Sequence, residues 1–296
     1  MAHSRRNFLK STAAAALLGG GRSSHAAPAA KRLATDWVPL GNSGVKVTRL
    51  AFGTGTYSGR VQRELGQDEF TRQVRYAYDH GIRFFETAES YPGMPEMLSI
   101  ALKGIPRDSY QLMMKCTVRR NDDPLAKVDQ YRKQLNTEYL DILLLHCVTS
   151  PTWFTDMEKH RDGFSEAKQK KMILSHGASV HGLPALREFP GKKWLDVSMI
   201  RMNHKGTIMD GPAPGSSAGG NVPEVVQHTQ EVHAQGSGVI SMKLVGEGRF
   251  TNPDDRDAAL RFAFNTAKVD AVTIGYKSTA EIDEALKRLN GALAVA

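Results

Sequence analysis

The chain has 296 residues, of which 41% are hydrophobic and 24% charged, the composition of an ordinary globular protein. It contains no run of the eighteen or so apolar residues that a transmembrane helix needs, and its two cysteines exclude a disulfide scaffold or a Cys-rich metal site. The net charge is +8, but four of the cations lie in the first thirty residues, which contain no acid: Arg5, Arg6, Lys10 and Arg22. The mild charge that remains is dispersed and argues against nucleic acid as a partner.

The N-terminal segment has the pattern of an export signal. Residues 4–10 are Ser-Arg-Arg-Asn-Phe-Leu-Lys, a weakly apolar stretch follows to Gly21, and small residues offer cleavage sites at 24–30. This resembles the twin-arginine signal, with a basic tail as the alternative. We therefore predict a signal peptide over 1–29, one domain over 30–296, contact with the twin-arginine translocase, and a periplasmic or otherwise exported protein. Because that pathway carries folded proteins, often around a cofactor, the segment also favours a bound cofactor.

Short apolar runs alternate with amphipathic stretches along the rest of the chain. Eight of these runs are predicted strands: Leu50–Gly53, Arg83–Phe85, Gln111–Lys115, Leu140–His146, Met172–Gly177, Leu195–Met199, Gly238–Lys243 and Ala271–Gly275. Several are apolar at every position, as expected of parallel strands buried on both faces. Helical spacing lies between them, and Ser278 with Glu281 forms a capping-box pattern before the last helix.

This alternation predicts an α/β fold, a closed (β/α)8 TIM barrel. A doubly wound open sheet is the competing fold, but no G-x-G-x-x-G follows the first strand. Residues 37–48 alternate around Asn42-Ser43-Gly44 and predict a β-hairpin before the barrel. A glycine-rich loop without evident anchors, Asn203–Asn221, is predicted to be either a functional lid or disordered.

Polar residues follow three successive predicted strands, where a barrel of this kind holds its active site. Glu86 and Tyr91 come after the second strand, Lys115 ends the third, and His146 ends the fourth. Lys115 beside the Tyr91 phenol would lower the pKa of Tyr91 and prepare it as a general acid. Glu86 would hold Lys115, and His146 would orient a carbonyl oxygen. Taken singly, each of these residues has a structural explanation, but together they predict a proton-transfer site.

From about residue 36 onward the chain resembles the aldo-keto reductases. The matching stretches are the hairpin, then Phe85–Glu96, the more specific Tyr131–His146, and Ile274–Ile282. In that family an Asp, Tyr, Lys, His tetrad reduces carbonyls with a nicotinamide hydride. The resemblance implies that Tyr91 gives the proton, with Lys115 and His146 in the other roles. The chain departs from the family at Glu86, where the pattern has Asp, and the extra methylene must be accommodated.

The resemblance also implies a cofactor, NADP in preference to NAD because of Lys277-Ser278, although the arginine expected further along is absent. Two of the family's nicotinamide positions differ from the pattern, since Val180 replaces an Asn and Met202 replaces an aromatic residue. In chain order, the implied contacts are Ser179, Asn203, Gly246, Gly248, Arg249, Gly275, Lys277 and Ser278.

Other residues have no assigned chemistry. Cys116 and Cys147 each follow a candidate catalytic residue, so strand alternation predicts that both turn away from the barrel interior and pack as small hydrophobes. The histidines show no paired-ligand spacing, and no metal site is predicted. Trp153 and Phe154 either line the substrate pocket or anchor a surface loop.

Three functions remain open on the sequence alone. The first is an exported oxidoreductase that interconverts a small carbonyl compound, such as an aldehyde, ketone or sugar, and its alcohol. The second is an enzyme with non-dissociable NAD(P) that oxidises and reduces its substrate in one turnover, as a sugar epimerase or isomerase does. The third is a barrel that has lost catalysis and acts as a binding module. The substrate's identity and the oligomeric state have no sequence signal.

Overall fold

A computed structural model describes residues 31–294, and eight parallel strands close into a barrel within it. The ten strands of this part of the chain are β1 Trp37–Pro39, β2 Lys46–Thr48, β3 Leu50–Gly53, β4 Phe84–Glu86, β5 Gln111–Cys116, β6 Leu140–Val148, β7 Ile173–Val180, β8 Val197–Arg201, β9 Gly238–Met242 and β10 Ala271–Ile274. Strands β3 to β10 follow one another around the barrel, and β10 pairs with β3 to close it. The predicted (β/α)8 barrel is confirmed, and each predicted strand lies within a few residues of the observed one.

Helices connect the strands on the outside of the barrel. They are α1 Arg60–Arg63, α2 Gln67–Asp79, α3 Met94–Leu102, α4 Pro124–Gln134, α5 Trp153–Asp156, α6 Glu158–Gln169, α7 Leu183–Leu186, α8 Val222–Ala234, α9 Pro253–Arg261 and α10 Thr279–Ala294. The capping pattern before α10 forms as predicted, because the Ser278 hydroxyl accepts the Glu281 N–H at 3.3 Å.

Two separate apolar cores follow from the alternation of side chains along each strand. Alternate residues such as Phe84, Met113 and Ile142 fill the barrel interior, and their neighbours, such as Phe85 and Leu143, pack outward against the helices. The strands are apolar at nearly every position because both of their faces are buried.

The predicted hairpin forms from β1 and β2 and closes one end of the barrel. Leu40 and Val47 belong to the same apolar cluster as the barrel interior, and Gly41 bridges to Ser237, just before β9 begins. A side chain could not replace Gly41, since a Cβ there would lie 2.3 Å from the Gly238 nitrogen. The hairpin therefore covers the N-terminal ends of the strands and leaves the C-terminal ends open.

The glycine-rich loop after β8 is anchored, contrary to the sequence prediction. The Arg201 guanidinium on β8 donates to Asp210 at 2.7 Å and to the Ser216 carbonyl at 2.9 Å, and both charged side chains are buried. Asp210 also accepts the Gly182 N–H at 2.6 Å. This ion pair holds the loop against the mouth of the barrel as a fixed wall.

The predicted signal peptide, residues 1–29, lies outside the described residues. Within 31–294, no helix is long and apolar enough to cross a membrane.

Candidate active site

Three of the predicted site residues meet at the C-terminal end of β4 and β5. The Lys115 ammonium donates to the Tyr91 hydroxyl at 2.7 Å and pairs on its other side with the Glu86 carboxylate. The second oxygen of Glu86 accepts a hydrogen bond from Thr273 on β10 at 3.4 Å. Lys115 and Glu86 are almost completely buried, so each charge depends on the other for compensation.

The pKa of Tyr91 is shifted in the direction opposite to the sequence prediction. Burial, followed by the nearby Glu86 carboxylate, raises the pKa of Tyr91 well above its ordinary value. Lys115 does not offset this because Glu86 already balances its charge. The phenol therefore stays protonated at neutral pH, which suits a proton donor.

His146 lies beside Tyr91, with ring centroids 5.6 Å apart at nearly a right angle. Burial, with Lys115 and His181 nearby, lowers the pKa of His146 well below its ordinary value, so the ring is neutral at physiological pH. Its Nδ1 is 3.0 Å from the Ser90 hydroxyl. When Ser90 donates this bond, the ring proton sits on Nε2, where it can be donated to a substrate oxygen.

Glu89, the other acid near Tyr91, is held by hydrogen bonds from a separate set of residues. Its carboxylate accepts hydrogen bonds from Arg119, Lys127, Tyr131 and the Thr117 N–H. Burial alone would raise the pKa of Glu89, but these donors hold that pKa at about 2. Glu89 thus fixes the segment before Tyr91 as a permanent anion, and Glu86 is the carboxylate that meets Lys115.

A bulge at the end of β6 re-orients the residue after His146. The register with β7 shifts between Leu145 and Val148, and Cys147 has a φ of 56°. The prediction that Cys147 packs as a small hydrophobe is wrong: it is exposed, with its sulfur 3.8 Å from His181 Nε2. Alternation fails here because the bulge adds a residue to the strand. Cys116 has the predicted burial.

A cavity of about 550 Å³ extends from the Tyr91–Lys115 contact to the first turns of α10. Its volume is in the range of small-molecule and cofactor sites. The residues that line it include Gly53, Gly55, Tyr57, Met199, Lys243, Glu247, Gly248, Arg256, Thr273, Gly275, Tyr276, Lys277, Glu281, Glu284 and Arg288.

Of the predicted cofactor contacts, three line this cavity: Gly248, Gly275 and Lys277. The other five do not. Among these, the Ser179 hydroxyl accepts the Cys147 N–H at 3.1 Å and supports the bulge. Asn203 is fully buried and binds the Lys205 and Thr207 N–H groups, which shapes its own loop.

The remaining three predicted contacts also have local explanations. Gly246 is buried in a tight turn with a φ of 60°, and Arg249, next along the same segment, is exposed. Ser278 caps α10.

Trp153 is fully buried against Phe189 and, like Phe154, does not line the cavity, so these two aromatics anchor a loop.

Sequence reasoning missed the charged residues at the far end of the cavity. Arg256 and Arg288 come from α9 and α10 and both pair with Glu284. Glu247 pairs with Lys243 beside the Gly246–Gly248 turn. The i, i+4 spacings of Lys243 with Glu247 and of Glu284 with Arg288 were the local signals for these pairs, and Arg256 had none.

The cavity has features that fit a bound nicotinamide dinucleotide. A Cβ at Gly275 would lie 2.6 Å from Thr56 Oγ1, so a larger residue here would displace the neighbouring wall of the cavity. The Tyr276 hydroxyl is buried and has no hydrogen-bond partner within residues 31–294. Gly248 has open space around it and presents bare backbone to the cavity. Across the same residues, no three His, Cys, Asp or Glu side chains are grouped to hold a metal ion.

Comparison with known proteins agrees with this geometry. The aldo/keto reductase family pattern matches residues 49–290. The chain belongs to the aldo/keto reductase family. It is therefore an oxidoreductase of the NAD(P)-dependent carbonyl class.

Individual members of the aldo/keto reductase family are only distant relatives. "L-galactose dehydrogenase" of Arabidopsis thaliana is 23% identical over 291 residues, covering 83% of this chain and 85% of that protein. "Probable aldo-keto reductase 1" of Glycine max is 30% identical over 124 residues, which are 38% of this chain and 36% of that protein.

Solved structures show the same barrel. A Pseudomonas aeruginosa chain assigned to the aldo-keto reductases superposes with a TM-score of 0.71 at 19% identity, covering 89% of this chain and 98% of that one. The holo form of a Bacillus halodurans aldo-keto reductase gives a TM-score of 0.66 at 19% identity, covering 87% of this chain and 95% of that one.

Gly55 leaves room for the Tyr91 phenol, and this can be tested by adding one methyl group. A Cβ at Gly55 would lie 2.5 Å from Tyr91 Oη and 2.8 Å from Cζ. We expect Gly55→Ala to displace the phenol and lower kcat by about a hundredfold, because misplacement by an ångström costs rates of that order. Gly291→Ala, with no heavy atom within 4 Å of its added Cβ, is the matched control and should keep full activity. An active Gly55→Ala protein would show that the phenol need not sit where the structure has it.

The pKa directions predict a broad pH plateau for carbonyl reduction. Reduction needs a protonated Tyr91 and a neutral His146, whose ordinary pKa values are 10.0 and 6.5. The site raises the pKa of Tyr91 and lowers the pKa of His146. We expect kcat/KM to stay flat between these two pH values. In Glu86→Gln, which removes a negative charge beside the phenol, the pKa of Tyr91 should fall and the alkaline limb should move to lower pH. A wild-type alkaline limb below pH 10 would support a lowered pKa of Tyr91 instead.

Proposed function

We propose that this protein interconverts a small carbonyl compound and its alcohol, with a nicotinamide dinucleotide as the redox partner and Tyr91 as the proton donor. The proposal is carried by the buried contact of Lys115 with Tyr91 at 2.7 Å, with Glu86 behind Lys115, at one end of a cavity of about 550 Å³. When bound, the dinucleotide would supply or accept the hydride at the substrate carbon.

The protein's own residues handle the proton and the developing charge. In the reducing direction the Tyr91 hydroxyl gives its proton to the substrate oxygen, and the alcohol is released with a phenolate left on Tyr91. The Lys115 ammonium, which already donates to that oxygen, stabilises the phenolate until a solvent proton restores it. Because the site is almost completely buried, this charge interaction is stronger than it would be in water.

His146 orients the substrate in this proposal. Its ring is neutral and lies against the Tyr91 ring, so its Nε2–H and the Tyr91 hydroxyl can both point to one carbonyl oxygen. A neutral imidazole polarises the carbonyl without competing with Tyr91 as the acid.

A sugar is the candidate substrate class. One relative, aligned over 83% of this chain, is named for the dehydrogenation of L-galactose. The proposal therefore includes aldoses beside simple aldehydes and ketones, and the mouth wall held by Arg201 and Asp210 would select among them. Lys277-Ser278 suggested NADP, so assays need NADPH and NADH in parallel.

Replacing the proton donor tests the proposal directly. We expect Tyr91→Phe to lower kcat by about a hundredfold or more, the scale of general acid catalysis, while the dissociation constant of the dinucleotide stays within a few-fold of wild type. Tyr139→Phe is the matched control, because Tyr139 packs on Arg107 far from the site. Steady-state rates with a panel of aldoses and aldehydes and a fluorescence titration of the reduced dinucleotide make the comparison. Unchanged rates in Tyr91→Phe would exclude Tyr91 as the donor, and nucleotide binding without turnover in wild type would favour a binding module.

We also propose that residues 1–29 direct export by the twin-arginine route, supported by Ser4-Arg5-Arg6-Asn7-Phe8-Leu9-Lys10. In a Gram-negative host, Arg5→Lys with Arg6→Lys should abolish the exported fraction, while Arg22→Lys, outside the motif, should leave it unchanged. Cell fractionation and immunoblotting give the readout. Export of the double variant would show that the arginine pair is not a targeting motif.

A further inference from the structure

The far end of the cavity contains several cations, but each of them is close to a carboxylate. Arg256 and Arg288 both donate to the Glu284 carboxylate, at 2.7 and 2.6 Å, and Arg288 also reaches Asp257 at 2.8 Å. The ammonium of Lys277 is 4.0 Å from a Glu281 oxygen. A doubly charged phosphate placed here would therefore meet no cation that is free of a negative partner among the residues lining this end.

The Glu281 side chain accepts a backbone N–H just before α10. Its carboxylate accepts the Lys277 N–H at 2.7 Å, and the Glu281 N–H is in turn bonded to the Ser278 hydroxyl at 3.3 Å. The first turn of a helix is ordinarily favourable for a phosphate because of its free N–H groups and its dipole. Here the Glu281 carboxylate, held by the Lys277 N–H, lies in that first turn and lines the cavity.

We infer that Glu281 makes this protein select NAD(H) over NADP(H), an inference that rests on the proposed dinucleotide-dependent function. The nicotinamide must reach Tyr91, so the adenosine half would lie at the Glu281 end of the cavity. A carboxylate at that end can accept hydrogen bonds from the ribose hydroxyls of NAD, whereas NADP carries a phosphate on one of those hydroxyls. A phosphate at this end would be repelled by the Glu281 carboxylate and would compete with it for the Lys277 N–H. The sequence pair Lys277-Ser278 favoured NADP, but the Ser278 hydroxyl already accepts the Glu281 N–H as the helix cap.

Dissociation constants measure the selectivity without any substrate. The full chain is titrated with NADH and with NADPH, following the fluorescence of the reduced nicotinamide. We expect NADH to bind about tenfold more tightly at low ionic strength, a moderate ratio because Glu281 is partly exposed and its field is screened. The ratio should shrink as salt is added, since it originates in charge repulsion. AMP and its 2′-phosphorylated form, used as competitors, should show the same order.

One variant isolates the carboxylate. Glu281→Gln keeps the residue length and the capping geometry but removes the charge, so the NADPH dissociation constant should fall about tenfold, while that for NADH rises a few-fold. Asp283→Asn is the matched control. It removes the same charge from the same helix, but Asp283 bonds to Tyr76 and does not line the cavity, so the ratio should not change.

The outcomes separate the two proposals. Tighter or equal binding of NADPH by wild type, or an unchanged ratio in Glu281→Gln, overturns the inference and leaves the proposed function standing. Absence of binding by both dinucleotides overturns the proposed function and this inference with it. Tighter binding of NADH, reduced by Glu281→Gln and not by Asp283→Asn, supports both.

Discussion

The arrangement of this site depends on one buried positive charge, that of Lys115, and on the carboxylate that balances it. An isolated ammonium removed from water would lose its charge or destabilise the fold, and Lys115 avoids both because the Glu86 carboxylate lies against it. The pair is neutral overall, so it supplies a hydrogen bond to Tyr91 without pulling a proton from it. Burial, followed by the nearby Lys115 ammonium, lowers the pKa of His146, so its ring is neutral beside the pair. The extra methylene of Glu86, compared with the Asp of the family pattern, is accommodated by a contact to β10 through Thr273.

Much of this architecture could be predicted from local sequence because local rules decide it. Strands buried on both faces are apolar throughout, as residues 142–145 are, and eight of them alternating with helices have few ways to pack. The hairpin and the Ser278 cap depend on a few neighbouring residues. The grouping of Tyr91, Lys115 and Glu86 could be predicted for the same reason, since parallel strands end at one face.

What could not be predicted depends on pairings that no local pattern marks or on a departure from regular geometry. The bulge at Cys147 breaks the two-residue alternation on which its orientation was predicted. Arg201 and Asp210 show no pattern that marks them as partners, yet their buried contact converts a glycine-rich stretch into a wall. Arg256 pairs with Glu284 from another helix. The sequence does not show which charged residues pair with one another. A lysine or arginine near a cofactor site therefore does not by itself indicate a site for an anion.

The closed end of the barrel is also where the described residues begin. The Ala34 carbonyl accepts the Leu50 N–H at 2.9 Å where β3 begins, so the described chain enters at the hairpin-covered face. The catalytic residues lie at the opposite face. The described residues therefore begin at the base of the barrel, on the side away from the mouth where ligands exchange.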